Sequence, residues 1–148
     1  MADIRHRVGI DAPAERVYQI LTTAEGLSGF WTRELDGDPG EGGTLRFFFG
    51  QPEPSAVMEV TGVTPGRQVR WRCVAGPAEW VGTQLTFDLQ PADGETVLLF
   101  THADWREPGE FMHHCSTKWG YFMLGLKAWL EGGKAPAYPD DTKISSWG

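Results

Sequence analysis

Five successive segments between Gly43 and Ala103 place apolar side chains at every second position, and this alternation limits the fold more than any other feature of the chain. "GTLRFFFG" puts Leu45, Phe47 and Phe49 on one face, and "AVMEVTGV" offers Met58 and Val60. "RQVRWRCV" sets Val69, Trp71 and Cys73 against Arg70 and Arg72, and "TQLTFDLQ" turns Leu85, Phe87 and Leu89 inward. "TVLLFTHA" aligns Leu98, Phe100 and His102. A period of two is that of a half-buried strand. "PGR" at 65–67 and "ADGE" at 92–95 are hairpin turns by composition. Consecutive strands with tight turns predict an antiparallel meander, one face of which needs cover.

Upstream, "IRHRVGI" is a further strand, with Ile4, His6, Val8 and Ile10 opposite Arg5 and Arg7. Two short helices follow. In "DAPAERVYQILT", Asp11 is the expected N-cap, Pro13 suits the first turn, and Val17, Ile20 and Leu21 form the stripe. The second, "TAEGLSGFW", is expected to end at Trp31. "TRELDGDPGEGG" is read as a loop because Gly, Asp and Pro dominate it.

Downstream, "CSTKWGYFMLGLKAWLEGG" (115–133) has helical period. Cys115, Trp119, Phe122, Met123, Leu126 and Leu130 share a stripe about 100° wide, with Trp129 at its edge. Gly132, Gly133 and Pro136 stop it. This is the one element long enough to cover the sheet. Tyr121, Leu124 and Ala128 form a smaller patch on its far side, read first as a surface covered by the tail or the early helices, and second as a self-association surface for a homodimer. The predicted architecture is α+β: a curved antiparallel six-stranded sheet wrapped around a long C-terminal helix, with two short helices after the first strand. Residues 1–133 are expected to form the domain and 134–148 a tail without clear periodicity, with Tyr138 and Trp147 as its pins.

At 148 residues the chain suits one domain with a real core. A formal net charge of −7 disfavours nucleic acid and anionic membranes as partners. No apolar run reaches the roughly 20 residues a bilayer span requires, and "MADIRHRVGIDAP" has no secretory core, so a cytoplasmic location is expected. Cys73 and Cys115 follow no metal or redox spacing and are read as reduced, buried thiols. His113, His114 and Cys115 are neighbours on a helix and cannot share a face, so no metal site is expected. No cofactor motif is found either: "GDPGEGG" lacks the Lys-Ser/Thr of a phosphate loop.

The pieces in this order resemble the START-like (SRPBCC, helix-grip) superfamily, and within it the branch named after the activator of the heat-shock-protein-90 ATPase. The resemblance runs through Ala12, Pro13, Val17, Tyr18, Leu21 and Thr22, then Phe30-Trp31 and Gly42-Gly43. It continues through Pro65, Val69 and Trp71, and through Gly94, Thr96, Leu98, Phe100, Thr101 and His102. It closes on Trp119, Met123, Leu126, Lys127, Leu130, Glu131 and Gly133. One departure is Lys118, where relatives often carry Gly. The resemblance implies a cavity between sheet and long helix, which in the wider superfamily takes lipids, sterols or aromatic polyketides.

The aromatic wall is therefore the leading functional feature. The expected ligand-binding residues are Trp31, Phe47, Phe49, Met58, Trp71, Phe87, Phe100, His102, Trp119, Phe122, Met123 and Leu126. The competing reading is a core packed at normal density, without room for a ligand. His6 and His102 are expected to point inward from adjacent strands, where an imidazole could orient a ligand's polar end. The ordinary reading for each is a satisfied core histidine, and no catalytic residue is assigned. The expected function is reversible binding of a small, mostly apolar, lipid-like or aromatic ligand. The alternatives are a chaperone-interacting domain, like the eponym, and a polyketide cyclase/dehydratase-like enzyme built on His6, His102, Glu59 and Tyr18.

Overall fold

The computed structural model describes residues 1–148. Its elements run β1 (Ala2–Ile10), α1 (Ala14–Thr22), α2 (Ala24–Phe30), β2 (Glu34–Gly37), β3 (Thr44–Phe48), β4 (Ala56–Thr64), β5 (Gln68–Ala75), β6 (Gln84–Ala92), β7 (Glu95–Trp105) and α3 (Glu110–Leu130). The sheet order is β1-β7-β6-β5-β4-β3-β2, antiparallel throughout. First and last strands are neighbours, with Ile4 opposite His102 and His6 opposite Phe100.

The sheet has seven strands, not six. The extra strand, β2, lies in the stretch read as a loop. It pairs Leu35 with Phe47 and Asp36 with Arg46, whose guanidinium Nε reaches the Asp36 carboxylate at 2.6 Å. A four-residue strand holding one apolar side chain has no readable period, so pairing with β3 and the packing of Leu35 on the core decide it.

Two helix starts also differ from expectation. The N-cap of α1 is Pro13, with no side-chain cap, while the Asp11 amide donates to Glu131 Oε2 at 2.8 Å instead. Helix α3 begins at Glu110, so Phe111 and Met112 join it ahead of the aromatic stripe. The hairpins fall where the turn residues place them. Asp93 and Gly94 both take positive φ (48° and 83°), the backbone a tight β6–β7 connection demands.

The alternation sorts the sheet into two faces. Leu45, Phe47, Met58, Val69, Trp71, Cys73, Leu85, Phe87 and Leu98 are fully buried, whereas Arg46, Glu59, Arg70 and Arg72 are exposed. Irregular registers at Val57/Met58 and Val60/Gly62 bend β4. On the buried face, α3 contributes Trp119, Phe122, Met123 and Leu126. Helix α2 drives Phe30 between the two layers: its ring stands edge-on to Phe87 on the sheet (6.4 Å) and to Phe122 on α3 (6.2 Å). Phe30 thereby occupies the space between sheet and long helix.

Candidate functional site

The rings inside the sheet–helix space touch in an unbroken series. Trp71 meets Phe87 at 5.0 Å between centroids, Phe87 meets Phe100 at 5.2 Å, and Phe100 meets Trp119 at 4.6 Å. Such spacings are those of ordinary aromatic packing. A cleft of about 550 Å³ opens at the end of the molecule where α3 begins.

Three tryptophans form the cleft floor. Trp31 follows α2, Trp80 sits in the β5–β6 connection and Trp119 is on α3. Trp80 lies within 21° of parallel to each of the other two, at 6.1 Å from both. Trp31 and Trp119 approach to 5.1 Å. Phe49, Phe111 and Tyr138 line the sides. Of the twelve residues expected to bind ligand, Trp31, Phe49 and Trp119 line this cleft. Phe47 and Trp71 stand directly behind Trp31, at 4.5 and 6.3 Å. Phe87, Phe100, His102, Phe122, Met58, Met123 and Leu126 face the closed interior and are at most 2% exposed.

Trp80 was not legible as a site residue. It lies in "GPAEWVGT", which has no period, and no spacing relates it to Trp31 or Trp119. The closing residues have no period either, yet they form a wall, with Tyr138 and Trp147, the two expected pins, among its members. The Ala137 amide donates to Gly29 O (3.1 Å), the Tyr138 amide to Trp31 O (3.0 Å) and the Arg33 amide to Tyr138 O (3.1 Å). Arg33 and Asp140 form an ion pair. Pinned in this way, the segment returns across the start of α3 and brings Trp147 against Phe111 and His114.

The polar groups divide by surroundings. His102 is fully buried, and burial drives its pKa down to about 3. Its Nε2 meets Thr83 Oγ1 at 2.8 Å and its Nδ1 meets Trp119 Nε1 at 3.2 Å. His6 lies apart, with Nε2 against Ser116 O at 3.0 Å. Glu59 is exposed on the other face of the sheet, and Tyr18 is half-buried on α1. No hydrogen bond joins any two of these four groups. Burial pushes the Cys73 thiol up to about 11 and the Cys115 thiol up to about 12, so both stay protonated near neutrality. Cys115 borders the cleft.

Residues 11–131 match the family described as activator of Hsp90 ATPase homolog 1-like protein. The Aha1 dimer from Colwellia psychrerythraea, solved in solution, is 42% identical, with a TM-score of 0.82 over 90% of this chain and 99% of that one. The chain belongs to this Aha1-like family. The family's wider fold is shared by SSP2350 from Staphylococcus saprophyticus, at 20% identity and TM-score 0.75, over 92% of this chain and 97% of that one. CalU16 from Micromonospora echinospora is similar again, at 20% identity and TM-score 0.75, over 97% of this chain and 74% of that one. No curated protein matches the chain. The helix-grip architecture expected from the motifs is thus the family's own, and no helix is long and apolar enough to cross a membrane.

Proposed function

We propose that this Aha1-like protein reversibly binds a small, largely apolar or aromatic ligand in the cleft at the start of α3. The observation that carries the reading is the Trp31–Trp80–Trp119 floor beneath a cleft of about 550 Å³. Concave sites lined mainly by aromatic groups with a few polar ones are where small molecules bind. Burial there contributes about 25 cal/mol per Å² of apolar surface, before the costs of association. Phe47, Trp71, Phe100 and the other interior residues act in this reading as the packed support that holds the floor rigid.

The test is titration with N-phenyl-1-naphthylamine, a neutral fluorescent probe, together with native mass spectrometry of the purified protein. Trp147 borders the cleft and is 56% exposed, so Trp147→Ala should leave the fold intact by circular dichroism. The expected result is weaker probe binding in the variant. Equal affinity in both proteins would remove the cleft as the site. A pull-down with the Hsp90 chaperone, run in parallel, scores the chaperone-interacting alternative.

A homodimer is a second reading, supported by the 42% identical Colwellia Aha1 being a dimer. Pro136 of the closing segment packs on Gly125 of α3, beside the far-side patch, in which Tyr121 is half-buried and Ala128 is exposed. Leu124 is left 60% exposed. Light scattering across a concentration series should report twice the monomer mass. A constant monomer mass would dismiss the dimer.

A further inference from the structure

The family match ends at Glu131, yet six residues that line the cleft come later: Tyr138, Pro139, Asp141, Lys143, Trp147 and Gly148. The closing segment therefore gives this chain's cleft a character that the matched region does not encode. Lys118, the position that departs from the motif pattern, holds the segment in place. Its ammonium donates to Asp141 Oδ2 at 2.7 Å, Thr142 O at 2.6 Å and Gly148 O at 3.0 Å. An ammonium has three N–H donors, and all three are spent.

Charge at the cleft follows from this latch. Asp141 is neutralised by Lys118, and the two side chains are only 11% and 17% exposed. Asp140, next in the chain, is paired with Arg33 outside the cleft. His114 shares a hydrogen bond with Ser145 through Nδ1 (2.7 Å), and burial together with the Lys118 charge lowers its pKa, which favours the neutral ring. Lys143 remains. It lines the cleft, is exposed and has no ion-pair partner. On a chain of net charge −7, Lys143 is thus the cationic side chain of the cleft lining left without an ion-pair partner.

We propose that the closing segment makes the cleft selective for an apolar, ring-bearing ligand with one anionic group, such as a carboxylate or sulfonate, which Lys143 meets while the rings cover the tryptophan floor. This rests on the reading of the cleft as a ligand site. A neutral ligand would gain only the apolar contact. A cationic one would meet Lys143 unfavourably.

A matched pair of fluorescent probes tests this on the full chain. 1-Anilinonaphthalene-8-sulfonate and N-phenyl-1-naphthylamine share a ring skeleton and differ by the sulfonate. Wild type should bind the sulfonate more tightly. Lys143→Gln should weaken the sulfonate about three- to fivefold, the range of a partly exposed ion pair, leave the neutral probe unchanged, and be rescued by Lys143→Arg. Salt should reduce the sulfonate's advantage. If Trp147→Ala weakens the neutral probe but Lys143→Gln changes neither, the cleft reading stands and this selectivity falls. If neither probe binds, both fall.

Discussion

Trp119 and His102 are joined by a hydrogen bond whose direction is set by chemistry: an indole N–H only donates, so His102 Nδ1 must accept, at 3.2 Å. The other ring nitrogen, Nε2, then carries the proton and donates to Thr83 Oγ1, whose own hydroxyl proton goes to Trp80 O at 2.5 Å. The four groups form one directed chain beneath two of the three floor tryptophans. A second proton on His102 would turn Nδ1 into a donor facing another donor.

This predicts a pH effect. The folded His102 pKa is lowered from 6.5 to about 3. Between those values the unfolded chain takes up a proton that the folded chain refuses, so stability rises with pH through this window and falls as pH drops from about 6.5 toward 3. The slope from this one group approaches about 1.4 kcal/mol per pH unit. Urea unfolding of wild type and His102→Gln between pH 4 and 7 should show a weaker dependence in the variant, which cannot titrate. Parallel profiles would contradict the buried neutral imidazole.

Phe30 is the wedge between the layers, so Phe30→Ala should open a void there. The expected cost is about 3–5 kcal/mol, the range for a buried Phe removed from a close-packed core. Denaturant unfolding measures it. A loss below about 1 kcal/mol would show that the layers close over the missing ring more easily than packing of this density permits.

Gly26 sits where α1 and α2 cross. A Cβ there would fall on the Cα and carbonyl oxygen of Ile20, which are backbone and cannot swing away. Gly26→Ala should therefore cost more than about 2 kcal/mol despite improving helix propensity, since overpacking outweighs a propensity gain of about 1 kcal/mol. A melting temperature equal to or above that of wild type would overturn the close approach.

Lys118→Met removes the latch and keeps the apolar stem. Hydrogen exchange should quicken at the Ile144 and Gly148 amides, whose bonds lie within the latched stretch, and stay slow at Ala137 and Tyr138, which bond to Gly29 and Trp31. Uniform exchange along the segment in both proteins would assign Lys118 no holding role.

What the sequence determined by itself was six of the seven strands, the long helix and which residues each would bury. A strand's period of two and a helix's period of 3.6 are local properties, so Trp71, Phe87, Phe100 and Trp119 could be placed inward from spacing alone. The motifs extended this to the helix-grip arrangement, because their order along the chain follows the order of the elements. Tertiary structure decided where empty space lies. Whether facing rings leave a hollow depends on what a third element inserts between them, and Phe30 comes from a helix whose angle of entry has no local signature. The cleft draws on Trp31, Trp80 and Trp119 from three unrelated positions and on a closing segment without period. The backbone pairing of Tyr138 with Thr32 and the latch at Lys118 are among the contacts that bring this segment to the tryptophans.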